Sequence, residues 1–308
     1  MAAHELPLER RTLHGHFSCD LEPVLTVAPG DSVVFSTLDS GWGLEGGSME
    51  RRRFEPRQPG LDDGHALVGP IEVRGARPGQ ALAIRIDELR VGTFGYTDAG
   101  GWPSWLNTRL DLADGQTSTL WWDLDAAAEV GRDQHGHEVD LRPFLGVMGM
   151  PPPRSGVHST RPPRRWGGNL DCGELVAGTT LLLPIPVDGA WFSAGDGHAR
   201  QGDGEVCGVA LECPMERVRL TLHLRADLDL RAPLARTSDA WITFGLDEDL
   251  DDALAHALDE MLALMERELG VSRREALALA SVAVDLRVTQ VVNEVKGAHA
   301  ILRDDAVR

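Results

Sequence analysis

Residues 217–228, "RVRLTLHLRADL", decide the fold class. Val218, Leu220, Leu222 and Leu224 alternate with Arg219, Thr221 and His223, and a period of two sends successive side chains to opposite faces of an extended chain. The stretch reads as a half-buried strand. The same pattern runs upstream, where 34 glycines and 18 prolines, most of them before residue 240, separate short β-branched runs with turn signals. In "PVLTVAPGDSVVFSTLD" (23–39) the turn Pro29-Gly30-Asp31 joins a strand ending at Val27 to one through Val33, Val34 and Phe35. In "EVRGARPGQALAIRIDEL" (72–89) Pro78-Gly79-Gln80 precedes a strand carrying Leu82, Ile84 and Ile86, and the two stretches form a weak internal echo.

The period changes after residue 246. Leu250, Ala253, Leu254, Ala257, Leu258, Met261, Leu262 and Met265 fall at helical spacing, and Gly270 supplies a stop. Ser272 with Glu275 forms a capping-box pattern ahead of "ALALASVAV", so a second helix precedes the strand-like "DLRVTQVV". The chain is therefore read as mainly β, with a β-rich region over 1–240 and an α/β portion over 241–308 packed on it as one integrated unit.

Composition narrows the partners. With 48 acidic against 30 basic residues the net charge is −18, which opposes binding to nucleic acid or to an anionic membrane. Cys19, Cys172, Cys207 and Cys213 form no CxxC pair, the N-terminus is charged where a secretory signal needs an apolar run, and no stretch approaches a membrane span. A reduced, soluble, cytoplasmic protein is expected. At the C-terminus, "VVNEVKGAHAIL" is read as a possible interface strand of a homo-oligomer.

Chemistry concentrates in "SAGDGHARQGDGEVCG" (193–208). It is no phosphate cradle, because Gly204 is followed by Glu205 and Val206 rather than by Lys and Ser or Thr. It lacks the alternating oxygen ligands and flanking helices of an EF-hand loop. Cys207 lies in a run with the look of a buried strand, where a thiol acts as a small hydrophobe. Asp196 and His198 are separated by one glycine, so in extended chain they share a face and suit a metal. "HSTRPPRRWGGNLDCGEL" adds Asp171 after a Gly-Gly turn, with His158 upstream. Each acid has a plainer reading as a turn former that hydrogen-bonds its own backbone.

Three blocks carry a resemblance: "GPIEVRGARPGQALAIRI" (69–86), "GGNLDCGELVAGTTLLLPIPVDGAWFSAGDGHARQGDGEVCGVALE" (167–212) and "DLRVTQVVNEVKGAHAIL" (285–302). The chain resembles the acetamidase/formamidase family over nearly its whole length, the middle block being the most specific. The resemblance implies a sandwich or jelly-roll-like β architecture and hydrolysis of a short aliphatic amide to the acid and ammonia, often with a divalent metal. On this reading Asp171 and His198 are the firmest metal ligands, Asp196 or Asp39 completes the shell, and His14 and His65 are second-rank candidates. Zinc is the first choice of ion, with calcium or manganese as alternatives. Glu205 and Asp196 are the catalytic acids, Glu205 moving the proton between water and departing ammonia. Gly195, Gly197 and Gly204 let backbone approach the substrate, and Trp191 walls the pocket. Two further readings stay open: a larger or N-substituted amide, suggested by the aromatic stretch from Phe94 to Trp105, and a non-catalytic module that binds a cation or small ligand.

Overall fold

The strand Met215–Arg225 organises one face of the protein. Val218, Leu220 and Leu222 are buried while Arg219 and His223 are exposed, so the alternation read from 217–228 places its apolar side on the core. Its neighbours are Ser32–Phe35 on one side and Ala81–Val91 on the other. The computed structural model describes residues 1–48 and 50–308. Among these residues the larger of two sheets has eleven strands and the smaller nine. The smaller runs outward from Ala81–Val91 through Thr180–Pro184, Leu234–Arg236, Ala240–Asp247 and Lys296–Arg303 to an edge at Val284–Gln290.

One core lies between the sheets. Val33, Ile84 and Leu220 of the smaller sheet meet Val68, Leu145, Met148 and Phe192 of the larger, which is the sandwich-like arrangement of an antiparallel β protein with one wet face. The two Pro-Gly turns are not hairpins within a sheet. Leu25–Val27 pairs in parallel with Leu67–Val73 in the larger sheet, whereas the strands after each turn, Ser32–Phe35 and Ala81–Val91, flank Met215–Arg225 in the smaller. Each turn is thus a corner that carries the chain from one sheet to the other, and the sequence echo is a repeated strand–corner–strand unit. Local turn chemistry shows that a corner exists, but not whether the next strand returns to its neighbour or changes sheets.

Both C-terminal helices form as their caps dictate. Asp249 caps Leu250–Leu269, which ends at left-handed Gly270, and Ser272 with Glu275 closes a capping box ahead of Arg273–Ala283. Ala253, Ala257, Met261 and Met265 are buried in a second core over the smaller sheet. Gly245 permits this contact: a Cβ there would stand 1.9 Å from the carbonyl oxygen of Ala253. Residue 240 marks no break, because Ala240–Asp247 lies inside the smaller sheet. Lys296–Arg303 is likewise interior, paired on both sides, so it is no edge on which another chain could add; the edge strand there is Val284–Gln290, bridged by Gly204 at Gln290. No described helix is long and apolar enough to cross a membrane.

Candidate active site

The strand Phe192–Arg200 crosses the middle of the larger sheet with every residue from Phe192 to Ala199 buried. Asp196 and His198 do share a face, with His198 Nε2 3.5 Å from Asp196 Oδ2. Glu212, on the adjoining strand, brings Oε1 to 3.3 Å from the same nitrogen. Asp171 and Glu205 reach the cluster from loops. Two overlapping groups, Asp171 with Asp196 and His198, and His198 with Glu205 and Glu212, each have ligand atoms within 4.8 Å of one another.

Convergence of four acids on one imidazole needs unusual backbone and an empty place beside it. Asp171, Asp196 and Glu205 have φ of 50°, 60° and 45°, a left-handed conformation that side chains other than glycine adopt rarely and that costs about 1–3 kcal/mol each. Gly146 supplies the space. The Phe144–Gly149 strand runs antiparallel to Phe192–Arg200, and its register pairs Leu145 with Gly197 and Val147 with Gly195, which sets Gly146 opposite Asp196. A Cβ on Gly146 would stand 2.4 Å from Asp196 Oδ2, 2.7 Å from Asp171 Oδ1 and 2.8 Å from the His198 ring.

Surrounding groups orient the cluster. Asn293 donates from Nδ2 to Asp171 Oδ2 at 2.6 Å. Gln201 donates to the Asp171 carbonyl at 2.7 Å, and its Oε1 lies 3.0 Å from His198 Nδ1. With Nδ1 donating to Gln201, His198 is left with Nε2 facing the acids. The His198 ring packs edge-on to Phe144, centroids 4.9 Å apart. The Glu205 loop is held through Gly204, whose amide donates to Thr289 and whose carbonyl accepts from Val291.

Burial dominates the electrostatics. It pushes the Asp171 carboxyl up to about 8 and, together with the adjacent Asp171 charge, holds Glu205 well above the usual carboxylate range. Glu212 is raised for the same first reason. Burial would also raise Asp196, but the neighbouring His65 and His198 outweigh it and keep that acid low. His198 is disfavoured as a cation by burial, yet Glu212 and Asp196 lift it well above its ordinary value. Asp171 Oδ1, Asp196 Oδ1, His198 Nε2, Glu205 Oε2 and Glu212 Oε2 are buried without a hydrogen-bond partner. Five such atoms in one dry cluster fit a divalent cation, for which carboxylates and an imidazole are ordinary ligands.

Other expected residues stand elsewhere. Asp39 is fully buried but pairs with Arg51, Oδ2 to Nη2 at 3.1 Å, and accepts the Gly43 amide at 2.8 Å. Arg51 in turn stacks over Tyr96, 4.1 Å from its centroid, so Asp39 forms an ion pair rather than joining the ligand set. His14 has both nitrogens engaged: Nδ1 donates to the His16 carbonyl at 2.6 Å, and Nε2 accepts from the Ser193 hydroxyl at 2.9 Å. Burial lowers its pKa to about 4. His65 lies close enough for its charge to act on Asp196, but its Nδ1 is engaged with Thr160 Oγ1 at 2.8 Å. His158 pairs across to Phe17, with Nε2 3.1 Å from the Arg154 carbonyl.

Trp191 is no wall of this site. It lies beside Gly189 and Glu72, five residues and about 16 Å of extended strand from Asp196. Gly195 and Gly197 serve packing, because a Cβ on either would stand 2.3 Å from the Ala66 carbonyl oxygen or 2.5 Å from that of Cys213. Of the three glycines expected at the substrate, Gly204 alone has positive φ, at 95°. All four cysteines are free thiols, and Cys207 donates to the Val209 carbonyl. Glu212, Gly146, Gln201 and Asn293 were not anticipated. An acid inside the apolar "VALEC" run was the available signal for Glu212.

The fold and this cluster define a mainly β protein with a buried acid–imidazole centre suited to a divalent cation and proton transfer. The chain belongs to the acetamidase/formamidase family, whose profile matches residues 3–158 and 153–302. It is 47% identical over 259 residues to an acetamidase of Mycolicibacterium smegmatis, covering 64% of this chain and 62% of that protein. Against a formamidase of Methylophilus methylotrophus it is 26% identical over 252 residues, covering 64% and 60%. The matches thus span about three fifths of the length of these relatives. The crystal structure of an acetamidase from Bacillus halodurans superposes with a TM-score of 0.84 at 28% identity, covering 97% of each chain.

Proposed function

We propose that this chain hydrolyses short aliphatic amides to the carboxylic acid and ammonia, with a divalent cation held by Asp171, Asp196 and His198. Family membership supports the reaction. The observation that carries the cation is the set of five unpartnered buried atoms on side chains that form two possible ligand triads sharing His198. When bound, the ion supplies a Lewis acid and favours ionised water. Zinc suits the imidazole and carboxylate set, while calcium or manganese would suit the oxygen excess.

The chain's own groups do the remaining work. Burial and the Asp171 carboxylate hold the Glu205 carboxyl well above the usual carboxylate range. In its ionised form it is placed to take a proton from the attacking water and then to pass that proton to the departing nitrogen. Glu212, also raised, lies beside Glu205 at the same His198 nitrogen as a second proton holder. Gln201 and Asn293 keep His198 and Asp171 in single orientations, so no reorientation is needed during reaction. We also infer a cytoplasmic homo-oligomer. The sheet edge over residues 284–288, short of the Gly204 bridge to Gln290, and the exposed Leu277, Val282 and Leu286 near it support an assembly contact.

The test is ammonia release from formamide, acetamide and propionamide, before and after chelation and with zinc, manganese or calcium restored. No release from any amide with metal restored removes the amidase reading. Release indifferent to chelation removes the cation.

A further inference from the structure

The strand Val284–Gln290 and the turn after it lie against both loops that bear acids of the site. The Gly204 amide donates to the Thr289 carbonyl at 3.0 Å, the Val291 amide donates to the Gly204 carbonyl at 3.1 Å, and Asn293 Nδ2 donates to Asp171 Oδ2. Arg287 begins this series. Its Nε donates to Asp203 Oδ2 at 2.6 Å and its Nη1 to Glu174 Oε1 at 2.7 Å. Asp203 stands two residues before Glu205, and Glu174 three residues after Asp171. One planar guanidinium therefore spans the loop of a proposed cation ligand and the loop of the acid that moves protons.

The bridge reaches the third segment of the site as well. Glu174 also pairs with Arg142, whose amide donates at 2.8 Å to the carbonyl of Ala199, next to His198. Arg142, Glu174, Arg287 and Asp203 thus form a chain of alternating charge outside the dry cluster. The side chains of Arg287 and Asp203 are 36% and 41% exposed, and ion pairs open to water add little to global stability. This chain can instead oppose a local force. Asp171 and Glu205 have strained φ of 50° and 45°, and charge on their two buried carboxyls drives the loops apart. Gln201, donating to the Asp171 carbonyl, ties the loops from inside; Arg287 ties them from outside. An ammonium in its place would be a point charge without the fixed directions of the guanidinium fork.

We infer that Arg287 is a positioning residue of the amide site, setting the separation of Asp171 from Glu205 by holding the two loops that carry them. The inference rests on the roles proposed above for those acids. Without the fork, ligand and proton-handling acid no longer keep one spacing. The transition state, which needs both at once, then suffers more than substrate binding does.

Amide hydrogen exchange on the protein as purified, read by mass spectrometry, tests the tie without reference to turnover. In Arg287→Ala, exchange over residues 171–176 and 201–206 should rise at least about tenfold, as expected for lost charge-assisted bonds. The melting temperature should stay within about 4 °C of the wild type. Unchanged exchange in both loops overturns the inference. With metal loaded, Arg287→Ala and Arg287→Met should each lower kcat on acetamide about 10–100-fold with KM nearly unchanged. Added guanidinium should restore most of kcat in Arg287→Ala, where truncation leaves room for it, and none in Arg287→Met, where the thioether fills that room. A loss that guanidinium leaves unrepaired in the alanine variant assigns Arg287 to general folding and overturns positioning. Absence of turnover in the wild type removes the amidase reading instead, and the exchange comparison still decides whether Arg287 joins the loops.

Discussion

Gly146 stands directly opposite Asp196 across two antiparallel strands, and a single methyl group on it would fall 2.4 Å from Asp196 Oδ2 and 2.7 Å from Asp171 Oδ1. The site therefore depends on an atom that is missing from a residue with no chemistry of its own. Gly146→Ala should lose bound cation and reduce kcat/KM at least about 100-fold, since small displacements of reacting groups are that costly. The strand pairing should survive, so circular dichroism should be unchanged. A variant with full metal content by elemental analysis would show that the cluster can shift to accommodate the methyl.

Asn293 holds Asp171 Oδ2 at 2.6 Å and leaves Oδ1 facing the cluster. Asn293→Ala frees the carboxylate to rotate, and loss of such an orienting partner costs about 10–100-fold in metal affinity. Competition with a chelating dye measures this. Asn293→Asp should be worse than alanine, because it replaces the donor with a further buried charge.

Cation binding should release protons. Asp171, one of the proposed ligands, is pushed by burial up to about 8, so it carries a proton at neutral pH before the ion arrives. A raised carboxylate pKa means the proton is present below it and must leave for the ligand oxygen to coordinate. Affinity should therefore rise from about pH 6 to about pH 8, by about tenfold per pH unit for each proton displaced, and then level off. Calorimetry in buffers of different ionisation enthalpy counts the protons. A pH-independent affinity with no release contradicts the assignment of Asp171 to the ion.

Asp39 and Arg51 form a buried pair at 3.1 Å outside the cluster. Arg51→Met leaves an unpaired buried carboxylate and should destabilise the protein by about 3 kcal/mol or more, whereas combining it with Asp39→Asn should recover most of that loss. Metal content should be unaffected in the double variant. Loss of the ion from Asp39→Asn in a folded protein would return Asp39 to the ligand set. Thermal melting and elemental analysis together separate the two roles.

The chain's local grammar determined a good deal. The alternation at Val218, Leu220 and Leu222, the helical spacing from Leu250 to Met265 and the Ser272–Glu275 cap were legible because each depends on neighbours a few residues away. Asp196 and His198 were paired by the same logic, since two residues along a strand share a face whatever surrounds them. Tertiary structure decided the rest. Glu212, Gly146 and Asn293 enter the cluster from separate segments, and only strand register and loop closure bring them within reach. Asp39 and His14 carried suitable side chains, but Arg51 and Ser193, distant in sequence, took up their polar atoms. Gly195 and Gly197 looked like openings for a substrate and proved to be places where the chain passes close to Ala66 and Cys213. Ligand chemistry is a property of residue type, whereas which atoms remain unpartnered is a property of everything folded around them.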